Sequence, residues 1–188
     1  MKYKADQSAI IENGAVIGDD TRIWHFSHLR EGSRIGKGCN IGQNVYVDKG
    51  VIVGNYCKIQ NNVNLYKGVR LEDYVFCGPS MTFTNVKYPR CLFPKEVGGE
   101  YYLPTVVKYG ATIGAGAVVV CGTTIGKHAM IGSGAVVTKD VEDYSLVMGN
   151  PAKQVGWVCE CGEILTENMY CKICGKAYEL RDRRIKEV

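Results

Sequence analysis

Proline and histidine are scarce in this chain, with 5 and 3 among 188 residues. Nowhere does the sequence approach the ~20 consecutive apolar residues that a spanning helix needs, so no membrane association is expected. The opening Met1-Lys2-Tyr3-Lys4-Ala5-Asp6 leads into no apolar core of a secretory leader, which predicts a cytoplasmic protein. No run of Lys and Arg exceeds two residues, and the formal net charge is a mild +4. A nucleic-acid partner would leave a basic stripe that is missing here, whereas anionic small molecules suit a mild charge. Disulfides are not expected in a reducing compartment, so the nine cysteines read as packing residues or metal ligands. A hydrophobic fraction of 46% with 22% charge excludes a disordered chain.

Glycine is abundant, at 23 residues, and a repeat accounts for it. Ile11, Ile17, Ile23, Leu29, Ile35, Ile41, Val47, Val53, Ile59, Leu65, Leu71, Cys77 and Phe83 are apolar at steps of six. The pattern resumes at Val107, Ile113, Val119, Ile125, Ile131 and Val137. Small or β-branched residues such as Ala15, Thr21, Ser27, Val45 and Ala117 precede them by two. Strand alternation turns both positions inward. Glycines such as Gly36, Gly54 and Gly114 follow the key residue, where a corner with unusual backbone angles is expected. Three hexads then close a triangular coil of eighteen residues, and coils stack as parallel strands about 4.8 Å apart. The expected fold is all-β: a parallel β-helix interrupted once, over residues 84–106, by an extruded loop.

Stacking converts the sequence into columns. One corner carries His25, then Gln43 and Asn44, then Asn61 and Asn62; the adjoining face points His28, Tyr46 and Asn64 outward, with Arg30 beside them. This amide-rich surface suits a ligand whose hydroxyls, carbonyls and amine must be positioned without strong charge. An Asn ladder that merely satisfies stacked turns is the alternative.

Several segments are more specific than a hexad. They are Trp24-His25-Phe26-Ser27-His28, Ile41-Gly42-Gln43-Asn44-Val45, Lys58-Ile59-Gln60-Asn61-Asn62-Val63, Leu71 to Ser80, and Phe83-Thr84-Asn85-Val86. Across about residues 5–157 the chain resembles the hexapeptide-repeat nucleotide-sugar N-acetyltransferases of surface-polysaccharide (lipopolysaccharide and O-antigen) pathways. The resemblance is greatest to those acting on the 3-amino group of UDP-2-acetamido-3-amino-2,3-dideoxy-glucuronate. A sister group acts on dTDP-3-amino-3,6-dideoxyhexoses. The resemblance implies left-handed winding, a homotrimer, and acetyl-CoA lying between neighbouring β-helices. It also implies that Asn85 is the catalytic residue, orienting the acceptor amine. The loop contains no histidine. An amine is already nucleophilic when neutral, so a strong base is less necessary. Gly114, Ala115, Gly116, Ser133 and Gly134 are expected to offer approachable backbone N–H groups to CoA, with Lys139 and Lys153 at its phosphates. His128 is expected near CoA or as a plain turn residue. Two other readings exist for a β-helix. A three-histidine zinc hydro-lyase would need ligands that His25, His28 and His128 are too far apart to supply. A non-catalytic trimeric scaffold would need neither loop nor polar column.

The domain expected over residues 1–157 is the acyltransferase body. Past Trp157, Cys159-Glu160-Cys161-Gly162 and Cys171-Lys172-Ile173-Cys174-Gly175 form two cysteine pairs. A structural Zn2+ on Cys159, Cys161, Cys171 and Cys174 is expected, making residues 158–179 a small zinc ribbon. Leu180 to Val188, with Arg181, Arg183, Arg184 and Lys186, is expected to be a short charged helix in solvent.

Overall fold

The computed structural model describes residues 2–181 and 184–188. Among the described residues there is no α-helix, and hence none long and apolar enough to cross a membrane. Strands of two or three residues repeat every six residues, from Lys4–Ala5 and Ile10–Ile11 up to Val136–Val137, with one break between Thr82–Phe83 and Thr105–Val107. Every third strand of the stack joins the same sheet, which gives three sheets of nine, seven and six strands, parallel throughout except for the last strand of the nine.

The register step is eighteen residues. Arg22 pairs with Asn40, Asn40 with Lys58 and Lys58 with Phe76, which defines the Asn40 face. His28, Tyr46, Asn64 and Thr82 define the Tyr46 face. Val16, Arg34, Ile52 and Arg70 define the Arg70 face. From Phe76 to Thr112 the step is thirty-six residues, so the extruded loop holds one coil's length of extra chain. Its base is pinched by the Val86–Tyr102 bridge and by the bond from Lys87 N to Tyr101 O, 2.9 Å.

The key residues do point inward. From Ile23 to Val137 they form one continuous core, with Phe83, Leu29, Ile41, Ile59 and Leu65 fully buried. Ile11 and Ile17, at the open end of the stack, are only partly covered. Thr21 and Ser27 sit inside because their hydroxyls donate to carbonyls of the next coil, Gly36 O at 2.8 Å and Gly42 O at 2.7 Å.

The glycines after the key residue serve a different purpose from the one expected. Their φ angles are not positive. At Gly36, a Cβ would lie 2.6 Å from the Gly54 carbonyl carbon, so the reason is close stacking of coils. The left-handed residue comes two positions later, at Gly38 (φ 65°), Asn44 (56°), Tyr56 (56°), Asn62 (62°) and His128 (54°).

The stack ends where Ser145–Met148 turns back as the antiparallel strand Lys153–Trp157. Beyond it the four cysteines Cys159, Cys161, Cys171 and Cys174 gather within 4.8 Å of one another. The expected charged helix is not present. Tyr178–Arg181 and Arg184–Glu187 form an antiparallel hairpin, and Arg183 lies outside the described residues. Tyr178 and Ile185 are buried against Cys159, Cys171, Leu165 and Tyr144, which anchors the hairpin while Leu180, Lys186, Glu187 and Val188 stay exposed.

Candidate active site

The Tyr46 face carries a charged network at its first coils. Glu12 is the hub. Its Oε1 lies 2.8 Å from His28 Nε2 and 3.2 Å from Arg30 Nε, and its Oε2 accepts from Glu31 N at 2.9 Å. Arg30 also reaches Asp48 Oδ1 at 3.4 Å and Tyr46 Oη at 3.3 Å; Tyr46 Oη in turn donates to Asp48 at 3.1 Å. The backbone N–H of Glu31, reinforced by His28 and Arg30, holds the Glu12 carboxyl at about 2 despite some desolvation. The bond to Tyr46 raises Arg30 further. The structure thus brings His28, Arg30 and Tyr46 together as expected, through Glu12 and Asp48, which the sequence reading passed over. Both acids lie one coil from a cation, and that spacing was the available signal.

At the corner between the Asn40 and Tyr46 faces is a cleft of about 230 Å³, lined by Trp24, His25, Asn40, Gly42, Gln43, Gln60 and Asn61. His25 Nε2 lies 3.1 Å from Asp6 Oδ2, and Trp24 Nε1 donates to Asn40 Oδ1 at 2.7 Å. Much of the amide column is ladder. Asn61 Oδ1 accepts from Gln43 N at 2.9 Å, and Asn44 Nδ2 donates to Asn62 Oδ1 at 3.0 Å. The same device recurs on another corner, where Asn55 Oδ1 accepts from Lys37 N and Asp73 Oδ1 from Asn55 N. Asn44, Asn61 and Asn62 therefore satisfy stacked turns, and the side chains of Gln43 and Gln60 remain as the cleft's polar wall. Asn64 is half-buried on the Tyr46 face, in register between Tyr46 and Thr82.

Asn85 is half-buried at the mouth of the loop, three residues past Thr82. Its neighbour Thr84 anchors that position, accepting from Cys121 N at 2.9 Å. The loop tip presents Leu92, Phe93 and Val97 to solvent, at 82%, 68% and 70% exposure.

Ala115, Gly116, Ser133 and Gly134 continue the amide corner upward, exposed. The backbone N–H groups of Gly116 and Gly134 are not approachable, contrary to expectation. They donate to Pro79 O at 3.0 Å and Ala115 O at 2.9 Å, as the coil stack requires. What these turns offer is room, since a Cβ on either glycine would meet nothing within 4 Å. Lys139 lies one corner onward, and Lys153 on the returning strand Lys153–Trp157, so the two lysines do not share the corner of Ser133.

His128 belongs to neither surface. It stands in a ladder of rings on the third corner: Tyr56, Tyr74, Tyr109, His128, Tyr144 and Tyr178, with centroids 5.0 to 5.6 Å apart. Burial there, with Lys127 beside it, lowers its pKa.

The sequence comparisons agree with this architecture. The family model "Bacterial transferase hexapeptide (six repeats)" matches residues 14–49 and 104–139, and "Hexapeptide repeat of succinyl-transferase" matches 33–67. Residues 14–67 and 104–139 of the coil stack thus match models of transferase hexapeptide repeats. One similar protein is dTDP-3-amino-3,6-dideoxy-alpha-D-galactopyranose 3-N-acetyltransferase of Aneurinibacillus thermoaerophilus, 40% identical over 91 residues, covering 47% of each chain. Another is 2,3,4,5-tetrahydropyridine-2,6-dicarboxylate N-acetyltransferase of Ligilactobacillus salivarius, 53% identical over 64 residues, 34% of this chain and 27% of that one. The chain thus spans about half the length of the first and about a quarter of the second. A hexapeptide-repeat-containing acetyltransferase from Vibrio cholerae, solved with acetyl coenzyme A, superposes with a TM-score of 0.58. It is 24% identical, covers 67% of this chain and 70% of that one, and establishes the shared hexapeptide fold.

Proposed function

We propose that this protein transfers the acetyl group of acetyl-CoA to the 3-amino group of a nucleotide-linked amino sugar, in the cytoplasm, for surface-polysaccharide synthesis. The observation that carries this reading is one corner of the transferase hexapeptide stack. It holds an amide-walled cleft at Gln43 and Gln60 and, higher up, the open turns at Gly116 and Gly134. CoA lies along those turns, with Lys139 and Lys153 as candidate phosphate contacts.

The acceptor is of the UDP-2-acetamido-3-amino-2,3-dideoxy-glucuronate type, a reading supported by the segments around Trp24, Lys58 and Phe83. A second reading has a specific observation in its favour: the relative that shares 40% of residues over 91 is named for a dTDP-3-amino-3,6-dideoxyhexose. Arg30 is a poor partner for a uronate carboxylate, because Glu12 and Asp48 already occupy its guanidinium.

The chemistry follows from the residues at the loop mouth. The neutral amine attacks the thioester carbonyl, a C–N bond forms and the C–S bond breaks. The departing thiolate takes the surplus proton and leaves as CoA thiol. The Asn85 side-chain oxygen accepts from the amine and aims its lone pair. No loop histidine is needed for this sequence of events. The protein acts as a homotrimer. The exposed Leu92 and Phe93 on the extruded loop are apolar surface that a neighbouring copy would cover.

The test is free-thiol release from acetyl-CoA with UDP-, dTDP- and GDP-linked 3- and 4-amino sugars, the uronate included. Turnover with a 3-amino sugar nucleotide supports the reading, and its acceptor distinguishes the two versions. No turnover with any member sinks it.

A further inference from the structure

We infer that Cys159, Cys161, Cys171 and Cys174 bind one zinc ion, and that this ion clamps the C-terminal hairpin onto the aromatic ladder of the β-helix.

The thiols have the spacing of a tetrahedral site. All four Sγ atoms lie within 4.8 Å of one another, with Cys159 to Cys174 at 3.3 Å and Cys161 to Cys171 at 3.5 Å. Four sulfurs at 2.3 Å from one zinc sit about 3.8 Å apart, in the middle of that range. A disulfide needs about 2.05 Å, which none of these pairs approaches.

The backbone is built for it. Each pair sits in a small turn closed by a flanking bridge, Val158–Ile164 for the first and Tyr170–Ala177 for the second. In the first, Gly162 N donates to Cys159 O at 2.9 Å; in the second, Gly175 N donates to Cys171 O at 3.0 Å. Both glycines have positive φ, 94° and 77°. Two unrelated stretches of sequence thus fold into matching knuckles that face each other through their thiols. The first is one residue shorter, and the structure absorbs this without displacing either cysteine from the cluster.

The segment has only a small buried set of its own. Among the described residues it is Val158, Cys159, Leu165, Cys171, Tyr178 and Ile185, beside Tyr144 of the β-helix, and two of these are the thiols themselves. A unit this small needs a metal or cross-link to hold its shape. Each thiol that becomes a ligand releases its proton to solvent, and four thiolates around a divalent ion leave a double negative charge. Lys127 and His128 line the adjoining cleft of about 590 Å³ with Cys161 and Cys174, and Lys172 stands inside the second knuckle.

The clamp runs through Tyr178. Its hydroxyl lies 3.1 Å from Cys159 Sγ and accepts from Glu160 N at 3.2 Å, while its ring packs on Tyr144 at 5.6 Å. The phenol is thus placed to donate to a metal-bound thiolate. Val158 N donates to Tyr144 O at 2.9 Å, and Lys176 joins Glu160 of the first knuckle to Glu187 of the hairpin. Knuckles, hairpin and last coil therefore share one set of contacts with the metal site at the centre.

Elemental analysis of the intact purified protein should find about one zinc per chain. Cys171→Ser, at a buried ligand, and Cys161→Ser, at an exposed one, should each lose it. In both, amide exchange at Val158, Tyr178 and position 171 should accelerate at least ~100-fold while Ile59 and Ile113 stay protected. Tyr178→Phe keeps every thiol; it should bind zinc with unchanged stoichiometry but surrender it to a chelator several-fold faster. Metal-free native protein with these amides still protected would overturn the site, as would a mass lower by about 4 Da from two disulfides. Iron in place of zinc, seen as visible absorption, would overturn the assignment of the ion. An unaltered chelation rate in Tyr178→Phe would overturn the clamp.

Discussion

Replacing one inward isoleucine by alanine should cost very different amounts in the middle and at the end of the coil stack. Ile59 is fully buried, with Ile41 in register below and Cys77 above. Ile17 is partly exposed, and its strand has a neighbour on one side only, Arg34–Ile35. Truncating a buried isoleucine costs about 2–5 kcal/mol, the upper part of that range applying where the cavity cannot collapse. Ile59 is such a position, because both neighbouring coils are pinned by ladder bonds, and Ile59→Ala should cost about 4 kcal/mol. Ile17→Ala opens a notch that water fills, so about 2 kcal/mol or less is expected. The difference of about 2 kcal/mol corresponds to a ~30-fold shift in the folding equilibrium. Urea unfolding followed by the fluorescence of Trp24 and Trp157 reports it. Stacked repeats can lose two-state behaviour, so amide exchange coil by coil should accompany the curves. Equal costs within about 0.5 kcal/mol would refute a core graded from end to middle.

Asn85→Ala should lower kcat by roughly 10²–10³-fold and leave KM for the sugar nucleotide nearly unchanged, if its oxygen orients the amine; wild-type kcat would end that role. Gly54→Ala would put a Cβ 2.6 Å from Asp73 N and should destabilise by about 1–3 kcal/mol or more. Gly50→Ala meets nothing within 4 Å and pays only for its φ of 71°, about 1–2 kcal/mol; thermal melts that reverse this order would contradict the stacking account. The Glu12 carboxyl is lowered from its ordinary 4.5 to about 2. Its contribution to stability is complete above 4.5 and fades as pH falls through 2. The stability gap between wild type and Glu12→Gln should follow that course in acid, and a gap that does not change with pH would show the network to be uncoupled from folding.

The core and the columns were legible because both depend on a strict period. A strand of two residues has one inward side chain, and a step of eighteen stacks like on like. Which polar groups are occupied was not legible, because that depends on contacts between coils. The amides of Gly116 and Gly134 look available in a glycine turn, yet the turn below takes both. Asn61 reads as a ligand contact more readily than as a ladder rung until Gln43 N is seen donating to it. Glu12 and Asp48 escaped notice because their cations come from neighbouring coils. The C-terminal residues misled for a related reason. Charge around Lys186 hid the isolated Ile185, whose burial depends on Tyr178 and the cysteine knuckles, and no local pattern records that partnership.

The coil stack also acts as a ruler. Along the amide corner, Asn62 N bonds Gln43 O, Ser80 N bonds Asn61 O, Gly116 N bonds Pro79 O and Gly134 N bonds Ala115 O, one rung per coil. At about 4.8 Å a rung, the turn at Ser133 stands about 14 Å beyond the cleft wall at Asn61. That separation is quantised. Side-chain substitutions leave it unchanged, whereas gaining or losing one whole coil moves it by a full rung and preserves every face and corner. The extruded loop has no such constraint, since it leaves and re-enters between rungs. On the proposed reading, acceptor range can therefore change in two independent ways, by loop residues at a fixed separation or by coil number at a fixed chemistry.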